Sequence, residues 1–163
     1  MLPSCCPFCS AALSAPRPAE RCGACAQVWD NLNPKFSKSF VLRYYFERTQ
    51  LYKFEVYDVD DEQRRMDLSR QDLIGVTAPL ALGEIVATAG GKSVPLLARD
   101  GRELGHGTLT VEGTEQQGGN DVAHLTLRGE GLAALDWFGS SDPILVIHRG
   151  SGDGRWVKVW ESA

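Results

Sequence analysis

Two groups of acidic residues have the composition and placement of a cation site. The first group follows a strand-like stretch, Leu51 to Val56, and the second lies in a polar turn far along the chain. Carboxylate oxygens are the hard ligands that calcium prefers, so the two groups together predict a calcium site. The alternative is that they are solvated acids in turns, where aspartate is common. The acids of the first group are Asp58, Asp60, Asp61 and Asp72, and those of the second group are Asp136 and Asp142.

Four cysteines near the start of the chain have zinc-ribbon spacing. Cys6 and Cys9 form one Cys-x-x-Cys pair, and Cys22 and Cys25 form another after twelve intervening residues. Four thiolates can close a tetrahedral zinc site. Cys5 would be left over, and the segment around these cysteines is rich in proline and alanine. Two interpretations stay open: a zinc site, or a fortuitous cysteine cluster in an unstructured leader.

Length and charge narrow the class of protein. A chain of 163 residues with 43% hydrophobic residues predicts one domain with a real core. The net charge of −4 gives no global positive field to attract nucleic acid or an anionic membrane, so any anionic partner would need a local patch or a bound cation. We find no apolar run of membrane-spanning length and no secretory signal pattern. These features predict a cytoplasmic protein whose cysteines stay reduced.

Short stretches of alternating apolar residues run along most of the chain. This period of two is typical of strands, and eight or so such stretches predict an all-β antiparallel sandwich. The polar connection Glu47 to Gln50 is short, which predicts that the strands on either side are antiparallel neighbours. The stretch Leu82 to Ala89 is predicted to form one helical turn, and the stretch Gly101 to Gly107 is predicted to form a glycine-rich turn. The clearest stripes are Phe36, Phe40, Leu42, Tyr44 and Phe46, then Tyr52, Phe54 and Val56, then Ala123, Leu125 and Leu127.

The sequence contains no set of residues that is recognisable as a catalytic site. The three histidines are separated, and none has a nucleophile at a recognised spacing. No cofactor-binding fingerprint appears. We therefore expect a non-catalytic binding module.

Seven short motifs follow one another along the chain. They are Asn33 to Lys38, Tyr44 to Glu47, Lys53 to Asp60, Asp72 to Gly75, Leu82 to Val86, Gly107 to Val111 and Asp136 to Pro143. In this order they resemble the copine family of C2-domain proteins. The resemblance covers about residues 31–163, and residues 1–30 do not resemble the family. The order of motifs implies a partial chain that spans the end of a first C2 domain and the start of a second.

The resemblance implies three segments. Residues 1–33 form an irregular cysteine-rich segment, residues 34–118 the later part of a first C2 domain, and residues 119–163 the early part of a second. Together the two parts hold about one sandwich's worth of strands in circularly permuted order, and permutation is tolerated where termini lie close. We therefore expect residues 34–163 to form one hybrid C2-type β-sandwich, with five family-matched acids at one end: Asp58, Asp60, Asp72, Asp136 and Asp142. The competing outcome is two half-domains with exposed strand edges.

The resemblance also implies roles for the acids. Asp58, Asp60 and Asp72 match the three calcium ligands of one C2 loop, and Asp136 and Asp142 match the two of another. The implied function is calcium-dependent binding of anionic phospholipid membranes, without nucleic acid, in a cytoplasmic protein recruited to the plasma membrane by calcium. The alternative is a truncated, calcium-independent protein-interaction fragment with zinc at its N-terminus.

Overall fold

The described part of the chain is almost entirely β-structure. The computed structural model describes residues 30–59, 67–116, 122–136 and 139–161. The predicted zinc ligands and Asp60 lie outside these residues. The strands are β1 Lys35–Arg43, β2 Leu51–Asp58, β3 Asp72–Val76, β4 Leu80–Ala81, β5 Lys92–Leu97, β6 Glu103–Gln116, β7 Val122–Glu130, β8 Pro143–Gly150 and β9 Trp156–Glu161. A 3-10 turn, Leu68–Arg70, precedes β3, and a short helix, α1 Leu82–Ala87, follows β4.

The strands form an antiparallel β-sandwich, as predicted. Their hydrogen-bonded order is β1-β7-β6-β5-β3-β2-β8-β9, with β4 also paired to β2. The first four strands of this order make one layer and the last four make the other. The described pairing between the layers is a single one, Val76 opposite Leu97, where the sheet folds over.

Each layer contains strands from both the early and the late parts of the chain. In the first layer β7 lies between β1 and β6, and in the second layer β8 lies beside β2 over seven residue pairs, from Tyr52–Arg149 to Asp58–Pro143. The two segments assigned to different C2 domains therefore share one sheet and one core. The prediction that β1 and β2 are antiparallel neighbours is wrong: β1 pairs with β7, β2 pairs with β3 and β8, and the short connection carries the chain from one layer to the other.

The core lies between the two layers and explains the alternation in the sequence. Every second residue of β2 points inward, and Phe54 and Val56 are fully buried. The same holds in β7, where Ala123 and Leu125 are fully buried. Burial of such side chains stabilises the fold by about 1.5–3 kcal/mol each. The large core residues with essentially no exposure include Phe54, Leu82, Ile85, Leu96, Leu109, Leu125, Leu145 and Ile147.

Local details depart from the predictions in two places. Phe46 is 84% exposed, because β1 ends at Arg43 and the chain turns before the stripe reaches it. Strand β6 begins at Glu103, inside the stretch predicted as a turn. The predicted helical turn is present as α1. Neither described helix is long and apolar enough to cross a membrane.

Candidate functional site

The end of β2 carries a buried aspartate at the meeting point of three strands. Asp58 is the last residue of β2, opposite Asp72 at the start of β3 and opposite Pro143 at the start of β8. Its side chain has no solvent exposure. The backbone N–H of Asp142 donates to Asp58 Oδ1 at 2.5 Å. The backbone N–H of Val59 donates to the carbonyl of Asp142 at 3.1 Å, so the loop before β8 is fastened to the end of β2.

The loop before β8 presents two further acids. Asp136 donates its N–H to the carbonyl of Ser140 at 3.1 Å and accepts from the N–H of Gly139 at 3.0 Å. Gly139 has a φ of 79°, a conformation that favours glycine. Buried Ser141 ties the loop down, because its Oγ donates to the carbonyl of Ala133 at 2.8 Å and accepts from the N–H of Leu135 at 3.0 Å. These bonds hold Asp136 and Asp142 at the same end of the sandwich as Asp58.

Asp30 joins this group from the segment before β1. Its backbone N–H donates to Asp142 Oδ1 at 2.7 Å, and its Oδ1 accepts from Ser140 Oγ at 2.9 Å. Carboxylate oxygens of Asp30, Asp136 and Asp142 lie within 4.8 Å of one another, close enough to share one ion. We call Asp30, Asp58, Asp136 and Asp142 the acid group.

Electrostatics in the acid group oppose full ionisation. The pKa of Asp142 is raised from its ordinary value to about 6. Burial is the largest cause, and the charges of Asp30, Asp136 and Asp58 act in the same direction, while the N–H of Asp30 acts against them. Several carboxylates held together repel one another, and a divalent cation would remove that repulsion.

The predicted site residues divide into three sets. The structure brings Asp58, Asp136 and Asp142 together. Asp72 lies at the same end of the sandwich, opposite Asp58 in the pairing of β2 with β3. Its side chain is exposed and does not join the acid group. Asp60 falls outside the described residues. Asp30 was missed, because it lies in a segment without a periodic pattern; its one signal is its place just before the polar stretch that leads into β1.

A second buried polar cluster lies on the outer face of β2 and β8. Glu55 accepts from Tyr57 Oη at 2.8 Å and lies 3.1 Å from His148 Nε2. Arg99 in turn donates to Tyr57 Oη at 3.0 Å. The neighbouring His148 is the largest cause that lowers the pKa of Glu55 to about 2, whereas burial raises the pKa of Tyr57. These contacts link the outer face of β2 to His148 of β8 and to Arg99, which follows β5.

Comparison with known proteins agrees with this architecture. The sequence pattern of the C2 domain matches residues 2–88, more than half of the chain. The chain belongs to the C2 domain family. This C2 match begins at residue 2, whereas the resemblance to copines was predicted from residue 31 onward.

Two relatives match this chain over a longer stretch than the C2 pattern does. They are "Nicotinic receptor-associated protein 1" of Caenorhabditis elegans and the protein of the same name of Caenorhabditis briggsae. Each is 35% identical over 134 residues, which is 78% of this chain and 21% of the relative. The chain thus spans about a fifth of the length of these relatives. No solved structure matches.

Proposed function

We propose that this chain is a copine-type C2 module that binds anionic phospholipid in the presence of calcium. The observation that carries the proposal is the acid group, in which carboxylates from three separate stretches of the chain converge at one end of a C2 sandwich. C2 domains as a family are calcium- and phospholipid-binding modules, so a cation site at this end fits the family. The module is non-catalytic in this proposal.

The residues of the acid group fit calcium in their chemistry. Calcium takes about 6–8 oxygen ligands at 2.3–2.6 Å, from carboxylates, carbonyls and water. Asp30, Asp136 and Asp142 supply oxygens close enough to one another to share an ion, and Asp58 adds charge beside them. Asp60 and Asp72 stay predicted ligands from the loop between β2 and β3. Bound calcium would supply positive charge there, which a lipid phosphate could complete.

The proposal extends to location. A cytoplasmic protein with this chemistry would move to the inner face of the plasma membrane when calcium rises, because anionic lipids concentrate there. The repulsion within the acid group would keep its affinity for anionic lipid low without calcium. Calcium would therefore act as the switch.

Sedimentation with vesicles tests the proposal. Vesicles of phosphatidylcholine and phosphatidylserine should pellet the protein with calcium and pellet less of it with a chelator. Asp142→Asn should weaken the calcium-dependent part by about tenfold or more, since calcium affinity depends on the charge count of the ligands. Glu115→Gln is the matched control, because it removes one exposed acid on β6 at the opposite end of the sandwich. Pelleting that calcium does not increase would refute the proposal, and so would a calcium-dependent increment that Asp142→Asn leaves unchanged.

A second candidate function is protein binding without calcium. The name of the two relatives refers to receptor association, which favours a protein partner for some part of those chains. In this alternative, Cys6, Cys9, Cys22 and Cys25 would bind zinc. One equivalent of zinc that protects four thiols from a thiol reagent would support it, and protection of none would exclude the zinc site.

A further inference from the structure

The connection between β1 and β2 carries the most exposed aromatic residue of the described chain. Phe46 is 84% exposed and Tyr45 is 43% exposed. We call residues 44–50 the β1–β2 turn. Single exposed apolar residues are common on protein surfaces, so exposure alone assigns no role. The surroundings of Phe46 are what distinguish it.

Hydrogen bonds at its base fix the shape of the turn. Gln50 Oε1 accepts from the N–H of Tyr45 at 2.7 Å, and Gln50 Nε2 donates to the carbonyl of Arg43 at 2.9 Å. The N–H of Arg48 donates to the carbonyl of Tyr45 at 3.0 Å and closes the turn. Phe46 is therefore held outward by a preformed scaffold. Docking through such a turn loses little conformational entropy.

Two arginines flank the exposed rings in the sequence. Arg43 and Arg48 lie on either side of Phe46 in the sequence, and the Arg48 guanidinium is 5.7 Å from the centre of the Tyr45 ring. Within the described ranges, neither arginine forms an ion pair. Glu47 is the single acid of the turn. Aromatic rings beside cations are the chemistry that anchors proteins in the interface of an anionic membrane.

The same end of the sandwich repeats this combination on β2 and β9. Leu51 and Trp156 are each more than a third exposed, and a side chain at Gly150 would contact both of them. The Lys53 ammonium lies 5.5 Å from the centre of the Trp156 ring. A protruding turn is small for a stable protein interface, which needs about 800 Å² from each partner. An aromatic side chain inserted among lipid headgroups needs no such area.

The turn lies at the opposite end of β2 from the acid group. Strand β2 begins at Leu51 beside the turn and ends at Asp58, and eight extended residues span about 25 Å. We propose that the β1–β2 turn is a second, calcium-independent docking site for an anionic phospholipid surface. Phe46 enters the interface, and Arg43 and Arg48 contact the lipid phosphates. If the acid group also binds membrane, which rests on the proposed function, one molecule can join two vesicles.

Vesicle binding by the full chain in a calcium chelator tests the turn. The wild-type protein should bind vesicles made of an equal mixture of phosphatidylcholine and phosphatidylserine at low salt. Phe46→Ser should bind about tenfold more weakly, because the membrane would no longer bury an aromatic side chain at this position. Arg48→Gln should bind about fivefold more weakly, the contribution of one cation near an anionic surface. Val159→Ser, which removes an exposed apolar residue of β9 outside the turn and outside the acid group, is the control and should bind normally.

Two outcomes would overturn the docking site. The first is no binding in chelator, which is expected if the turn serves a protein partner instead. The second is equal binding by wild type and Phe46→Ser. The calcium-dependent increment, measured separately with Asp142→Asn, reports on the acid group alone, so failure of either site can be recognised without the other.

Discussion

The backbone N–H of Asp142 donates to the carboxylate of Asp58 at 2.5 Å, although the two residues are 84 positions apart in the chain. This bond joins the loop before β8 to the end of β2, and it places aspartates from both halves of the chain at one end of the sandwich. Its carboxylate acceptor is fully buried, so the bond forms only when β2 and β8 are paired. Folding and assembly of the acid group are therefore one event.

Asp142→Asn should stabilise the calcium-free protein at neutral pH. The pKa of Asp142 is about 6 when folded, above the value near 3.9 of an unfolded chain. Its contribution to stability is therefore present below about pH 4 and is lost as the pH rises from 4 to 6. Because the variant does not lose this stability, its free energy of unfolding at pH 7 should exceed that of the wild type by about 1 kcal/mol, after allowance for solvent screening. Denaturation in chelator at pH 4 and pH 7 measures the difference, and a gain that is the same at both pH values would contradict it.

Asp30→Asn should weaken calcium binding while the loop before β8 stays in place. The substitution keeps the backbone N–H that donates to Asp142, and it removes one negative charge from the acid group. We expect calcium affinity to fall by about threefold to tenfold, since affinity follows the number of charged ligands. Calorimetric titration measures it, with Glu115→Gln as the control. Unchanged affinity would exclude Asp30 from the site.

Glu55→Gln should reduce the loss of stability that the wild-type protein shows as the pH falls below about 4. The pKa of Glu55 is about 2 in the folded protein and near 4.3 in an unfolded chain, so its contribution is present above about pH 4 and is lost as the pH falls from 4 to 2. The variant should be less stable than wild type at pH 6 by about 1–2 kcal/mol and equal to it near pH 2. Thermal melts across this range check the prediction. Glu112→Gln, at an exposed position of β6, should leave the curve unchanged.

Gly75→Ala should destabilise the sandwich where the two layers meet. A side chain at Gly75 would lie 2.8 Å from Leu96 Cβ, a distance that forces one strand to shift. We expect a loss of about 1–3 kcal/mol in the free energy of unfolding. Gly152→Ala, in the open β8–β9 turn, should cost less than about 1 kcal/mol. Equal effects of the two substitutions in urea denaturation would contradict this explanation.

The strands could be predicted from the sequence, but their partners could not. Alternation in Tyr52, Phe54 and Val56 reports burial on one face, which is a local property. The partner of β1 is β7, which starts at Val122, and no local pattern in either strand specifies that pairing. The short connection after β1 was misleading for this reason, since it crosses between layers.

The candidate site was predictable to the extent that its residues lie in recognisable motifs. Asp58, Asp136 and Asp142 follow or precede strands and were found. Asp30 belongs to the group only because the chain before β1 passes the loop before β8, and that proximity is a product of the tertiary fold. The exposed side chain of Asp72 shows the converse, that a matching motif does not fix where a carboxylate points.

The presence of early and late strands in each layer has a consequence for synthesis. When β1 to β6 have left the ribosome, β1 still lacks β7 and β2 still lacks β8, so both present open edges and uncovered apolar faces. The nascent chain cannot close its core until about residue 150 has emerged, and such exposed edges favour aggregation. Production of this protein should therefore depend on chaperones that hold nascent chains.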